Sequence, residues 1–177
     1  MDFRKIYDEH VAFVWRSLHR LGVAEPSLKD AVQDVFLVVH RRLPDFTEQA
    51  KVTTWLFRIA MGIARDHRRR AHVRREVLDD AGVDLAPHPD GDVSEMAERH
   101  EDLALFDRAL AKLHIDQRAV FILFELEDMT GERIAETLQI PLGTVYSRLR
   151  LARETFKRAV LQQSARPWGH PHPVGAT

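Results

Sequence analysis

The 177-residue sequence contains no cysteine. That absence excludes disulfide staples and thiolate metal sites within the chain, and any redox response has to come through a partner. Long apolar runs are missing as well: nothing approaches the roughly 18 consecutive residues needed to span a bilayer. The opening residues, Met1 to Lys5, run into an amphipathic helical pattern instead of the apolar core of a secretory signal, so a cytoplasmic chain is expected. Strand signals are lacking too, which points to an all-α protein. What is present is a 45% share of hydrophobic residues, enough for one medium domain or two small ones, each with a modest core.

A large net charge is also lacking, with a formal value of −1. The average hides a segregation. Residues 1–75 hold 15 Lys/Arg against 9 Asp/Glu, residues 76–102 hold 1 against 10, and residues 103–177 hold 10 against 8. Two net-basic segments flank an acidic one. Local patches decide affinity for a polyanion, so the near-neutral total does not exclude nucleic acid.

Hydrophobic periodicity divides the chain further. Tyr7, Val11, Val14, Leu18 and Leu21 share one helical face, stopped near Gly22 and Pro26. A second helix from about Ser27 buries Val32, Val35, Phe36, Val39 and Leu43 and ends at Pro44. After a polar loop, Asp45 to Lys51, a third helix from about Thr53 turns Trp55, Leu56, Ile59, Ala60 and Ile63 inward. It ends in the basic run Arg65-Asp-His-Arg-Arg-Arg70, continuing to Arg74 and Arg75. Residues 78–94 combine turn formers and acids without a helical period, and read as a flexible acidic linker. Helical signal resumes near Ser94 with Leu103, Phe106, Leu110 and Leu113, followed by Val120 to Phe124, apolar nearly all round. Residues 164–177 read as a disordered tail. The expectation is two small all-α domains, 1–77 and 95–163, joined by the linker.

Residues 130–154 carry the most information. Thr130 suits an N-cap, and Ile134, Ala135 and Leu138 form a short apolar stripe. Gln139 to Pro141 interrupts it, and Pro141 suits the start of a second helix. There Val145, Leu149, Ala152 and Phe156 recur at helical spacing, leaving Ser147, Arg150 and Glu154 outward. This is a helix-turn-helix pattern at about 130–157, which presents its second helix to the DNA major groove. An ordinary helical hairpin with a solvated arginine face is the bland alternative.

Three passages together resemble a bacterial RNA polymerase sigma factor of the extracytoplasmic-function type. Asp30-Ala-Val-Gln-Asp-Val-Phe36 is similar to the family's polymerase-docking helix. Trp55-Leu-Phe-Arg-Ile-Ala60 with Ala64-Arg-Asp-His-Arg-Arg-Arg70 is similar to its promoter-melting helix and basic extension. Pro141 to Arg153 is similar to the helix that reads the −35 element. The resemblance covers roughly residues 3–75 and 100–160. It implies a region 2-like domain, a region 4-like domain, core polymerase and promoter DNA as partners, an anti-sigma protein as a further partner, no cofactor and no enzymatic activity.

The resemblance also implies site residues. Asp30, Gln33 and Asp34 would meet the polymerase. Trp55, Arg58, Gly62, Arg65, Arg68, Arg69 and Arg70 would serve −10 recognition and melting, where captured bases and held phosphates offset the cost of unstacking. Thr144, Tyr146, Ser147, Arg148, Arg150, Leu151 and Arg153 would serve the −35 element. Of these, Arg150 suits a bidentate contact to guanine, while Arg148, Arg153 and Thr144 suit phosphates. For Trp55 a core anchor is the favoured reading over base stacking. The chain departs from the family at Gly62, where asparagine is common, and at Tyr146 and Leu151, often basic or polar. It departs again at His114-Ile115, where Leu-Pro commonly stands.

Two other functions compete. A stand-alone helix-turn-helix regulator would explain residues 130–154 but not the first two passages. A metal-dependent phosphohydrolase would draw on Asp66-His67 and His100-Glu101-Asp102, but an arginine run suits phosphate better than a cation. His170 and His172, without carboxylate company, are a weak metal signal. The acids of residues 76–102 could also shield the basic surfaces on either side.

Overall fold

The computed structural model describes residues 2–46, 51–77 and 95–164, and the side chains of 2–46, 51–71 and 101–163. The linker expected at 78–94, the tail with His170 and His172, residues 47–50 of the polar loop, and the side chains of Arg74, Arg75 and His100 lie outside the described residues.

Every element described is helical. The order is α1 (Phe3–Arg20), α2 (Glu25–Arg42) with a 3-10 turn (Leu43–Asp45), and α3 (Val52–Val77), then α4 (Glu95–Ala111), α5 (Ile115–Phe121), α6 (Gly131–Leu138) and α7 (Leu142–Ser164). In the first half, α1, α2 and α3 pack mutually. Asp2 caps α1 by accepting from the Arg4 N–H at 3.3 Å, which satisfies one of the helix's orphan donors. Gly22, at φ +91°, turns the chain after it. Pro26 was expected to stand outside a helix; instead it occupies the first turn of α2, where its missing N–H costs nothing. Pro44 does end α2, through the 3-10 turn. Tyr7, expected inward, is largely exposed at 41% and rests its ring 4.7 Å from Phe36.

In the second half, α7 packs against α4, α5 and α6. His114, part of a pair expected to depart from the resembled pattern, caps α5: its Nδ1 accepts from the Asp116 N–H at 3.4 Å. After α5 the helix widens at Ile122–Leu126, where the Glu127 N–H reaches back five residues to the Ile122 carbonyl at 3.1 Å. Thr130 caps α6, accepting from the Arg133 N–H at 3.4 Å. Gln139, in the left-handed conformation at φ 54°, ends α6 and redirects the chain into α7.

One cluster of buried apolar side chains draws on both halves, from Ile6, Leu18, Val35, Leu56 and Phe57 to Ile115, Leu123, Ile134, Val145 and Leu149. A smaller one, Leu110, Leu113, Phe121 and Ala152, is closed by Phe106 and Phe156, with the Phe121 and Phe156 rings stacked 4.9 Å apart.

Candidate nucleic-acid and polymerase interfaces

The outward face of α7 is positioned by what lies beneath it. Val145, Leu149 and Ala152 are buried, which fixes the helix's rotation and turns Tyr146, Ser147, Arg150 and Leu151 to solvent. Tyr146 is 48% exposed and Leu151 40%. Ser147 donates its hydroxyl to the Thr144 carbonyl at 3.0 Å, and Arg150 pairs with Glu154 one turn on at 2.9 Å, in solvent. Thr144 is half-buried near the start of α7. Gly131, at the first turn of α6, lets Tyr146 approach: a Cβ there would stand 2.7 Å from the Tyr146 hydroxyl oxygen. Sequence periodicity gave no sign of that contact, because it joins two helices.

The two arginines expected on the flanks of α7 are engaged. Arg153 pairs with Glu125 at 2.6 Å and lies 5.1 Å over the Phe124 ring. Arg148, half-buried, donates to Asp116 at 3.4 Å. Asp116 also accepts from Arg65 of α3, so one carboxylate joins arginines from both halves. Burial alone would raise the Asp116 pKa. The hydrogen bond and charge of Arg65, with the charges of Arg148 and His114, outweigh it and hold the carboxyl below its ordinary 3.8.

On α3, Leu56, Phe57, Ile59, Ala60, Met61 and Ala64 are buried, and Arg58, Gly62, Arg65, Arg69 and Arg70 line the exposed side. Nothing lies within 4 Å of where a Gly62 Cβ would be. Trp55 is half-buried, its ring 4.6 Å from that of Phe46, so part of its surface stays accessible beside the loop. Arg58 donates to Gln139, in the turn of the helix-turn-helix, at 3.1 Å. Arg69 pairs with Asp66 at 3.4 Å.

Arg68 is partly buried, and its Nη1 has no hydrogen-bond partner. Beside it stands Arg118 of α5, 3% exposed, with an unpartnered Nε. Burial, then the charge of Arg68, lowers the Arg118 pKa to about 10, with Asp107 opposing. Arg118 was not singled out in the sequence; an arginine between Gln117 and Ala119 looks like surface until the packing is seen.

On α2, Asp30 and Gln33 are exposed, while Asp34 meets His67 of α3 at 3.3 Å. Helices α2 and α3 therefore touch through one polar pair. Asp66 and His67, the candidates for a metal site, are thereby engaged with Arg69 and Asp34.

Comparison with known proteins gives this arrangement its class. The Sigma-70 region 2 model matches residues 6–74, and the Sigma-70, region 4 model matches residues 103–156. RNA polymerase sigma-H factor of Pseudomonas aeruginosa is 33% identical over 140 residues, covering 75% of this chain and 72% of that one. ECF RNA polymerase sigma factor SigL of Mycobacterium tuberculosis is 31% identical over 150 residues, covering 84% and 83%. Among solved structures, the sigma factor RpoE, crystallised with the anti-sigma factor NepR from Bartonella quintana, superposes with a TM-score of 0.72. It is 23% identical and shares the fold, with 90% of this chain and 97% of that one covered.

The chain belongs to the extracytoplasmic-function group of the sigma-70 family, and its function is that of a promoter-recognition subunit of RNA polymerase.

Proposed function

We propose that the two halves divide the promoter between them, the first taking residues 1–77 and the second residues 95–163. The exposed face of α7, with Ser147 and Arg150 at its centre and Thr144, Tyr146 and Leu151 around them, reads the −35 element. A guanidinium such as Arg150 can meet guanine O6 and N7 bidentately, contributing about 1–3 kcal/mol of discrimination. Arg148 and Arg153, once released from their carboxylates, hold phosphates on either side.

The exposed side of α3 serves the −10 element. Arg58, Arg65, Arg68, Arg69 and Arg70 neutralise backbone charge, and Trp55, stacked on Phe46, offers a ring beside the captured strand. Gly62 leaves an open notch in this face where a base edge can approach the backbone. Asp30, Gln33 and Asp34 form the polymerase-docking face of α2, with polar contacts that set specificity more than affinity. Catalysis belongs to the polymerase, and this chain contributes none. It works where the polymerase works, in the cytoplasm; among the described residues no helix is long and apolar enough to cross a membrane. An anti-sigma protein restrains it, a reading supported by the fold shared with RpoE, crystallised with NepR, and with CnrH, crystallised with the cytosolic domain of CnrY.

The observation that carries this reading is the buried row Val145, Leu149 and Ala152, which turns Ser147 and Arg150 outward on a helix-turn-helix. The test is run-off transcription by core polymerase on a genomic DNA library, with and without the protein. New start sites that share spaced −35 and −10 elements are expected. Absence of both core binding and new starts would overturn the reading.

A further inference from the structure

Where the two halves meet, four arginines come together and are served unequally. Asp116 of α5 accepts from Arg65 of α3 on one carboxylate oxygen and from Arg148 of α7 on the other. A second pair follows about one turn further along α3 and two residues on in α5: Arg68 and Arg118. Neither guanidinium makes an ion pair or a hydrogen bond with a described residue, and Arg68 Nη1 and Arg118 Nε are both buried. Asp107 is the acid whose charge reaches Arg118, and it acts through space.

Two cations buried together repel each other, and donors left without a partner in a place closed to water are costly. An anion with several acceptor oxygens on one centre offsets both costs. The geometry suits such an ion. A Cβ on Gly22 would overlap Arg118 Nη1 and stand 3.6 Å from Arg68 Nη1, so both nitrogens lie about a single point. Guanidinium forks that close can donate to different oxygens of one ion. Gly22 is exposed and Arg68 half-buried, which opens the pair to solvent along that edge. Arg118 is 3% exposed, so a duplex cannot reach it while a single small ion can.

The first pair shows what charge the second needs. Asp116, with one charge, serves arginines whose side chains are 50% and 27% exposed, where water carries part of the compensation. The deeper pair lacks that help. A phosphate group, with close to two charges and at least three acceptor oxygens, supplies it.

We propose that Arg68 and Arg118, beside Gly22, form a binding site for a small phosphate-type oxyanion, either the free ion or the terminal group of a small phosphorylated molecule. The site goes beyond promoter recognition and needs only that the two arginines stand together in the folded chain. Gly22 belongs to it in two ways. Its φ of +91° turns the chain, and its missing side chain leaves the room that Arg118 Nη1 takes.

The test is calorimetric titration of the whole 177-residue chain with inorganic phosphate, in chloride buffer at constant ionic strength. The parent should show saturable binding of one phosphate per chain. Arg118→Met and Arg68→Met should each weaken it at least ten-fold, the loss expected when a charge-assisted hydrogen bond is removed. Arg41→Met, at an exposed position on α2, should keep the affinity within two-fold. Arg118→Met removes a buried cation without a partner, so its melting temperature in chloride should not fall below the parent's. Added phosphate should raise the melting temperature of the parent and not that of this variant. Repeating the titration with AMP separates the two sources: tighter binding than phosphate assigns the site to a phosphorylated small molecule, and equal or weaker binding to the free ion. No saturable binding by the parent, or full binding by either Arg118→Met or Arg68→Met, would overturn the site. An equal loss in Arg41→Met would show a general response to charge and overturn it too.

Discussion

At Arg150 the chemistry is that of an exposed guanidinium whose sole paired neighbour among the described residues is a solvated glutamate one turn away. Such surface pairs contribute little, so the side chain is free to exchange Glu154 for a base edge. Arg150→Ala should therefore leave stability unchanged and reduce discrimination at one −35 position by about 1–3 kcal/mol, read from binding to single-base variants of the element. Asp116 behaves differently, because its carboxyl is held below 3.8 by two arginines. A depressed carboxyl contributes stability that is fully present above the unfolded value and is lost as pH falls through the folded one. With the side chain 25% exposed, Asp116→Asn should destabilise by about 1 kcal/mol or less at pH 7. The difference from the parent should shrink progressively as pH is lowered below 3.8, as urea denaturation at neutral and acid pH would reveal.

Among the elements, the helix-turn-helix depends on close approach between α6 and α7. Gly131 permits it. In Gly131→Ala the new Cβ would stand 2.7 Å and 2.9 Å from the hydroxyl oxygen and Cζ of Tyr146, the far end of a side chain that can swing away. The expected outcome is a melting temperature close to the parent's, with −35 preferences altered to the extent seen in Tyr146→Ala; unchanged preferences would show that Tyr146 does not read DNA. Helix α3 has the opposite character, since its exposed side carries arginines and an open position at Gly62. Periodicity made the inward faces of both helices legible: Leu56, Ile59 and Ala60 in one, Val145, Leu149 and Ala152 in the other. The widened turn at Ile122–Leu126 was not legible, because a run apolar on every side carries no phase to be broken.

For the whole molecule, the relevant quantity is how many phosphates the complex neutralises. Arg69 and Arg70 are exposed about two turns before the end of α3, and neither contacts the second half among the described interactions. Each substitution, Arg69→Ala or Arg70→Ala, should reduce the slope of log affinity against log salt by about 0.7–0.9 in the polymerase-bound promoter complex. An unaltered slope for both would remove them from the phosphate contacts. The free chain should be less salt-sensitive than the polymerase-bound one, since Arg58, Arg65 and Arg148 already face partners within the chain.

Local order determined much of this protein. Helical spacing of apolar residues, Thr130 ahead of the first short helix and Pro141 ahead of the second specify an all-α chain with a helix-turn-helix. They do so because these signals act within a turn or two of the backbone. The order of three passages, at Asp30, Trp55 and Pro141, specified the family. Tertiary structure decided the rest. It buried Arg118 beside Arg68, brought Tyr146 over Gly131, and gave Arg65 and Arg148 the same carboxylate. Those pairings join residues 15 to 83 positions apart, whose meeting depends on how the helices pack and not on any pattern within them.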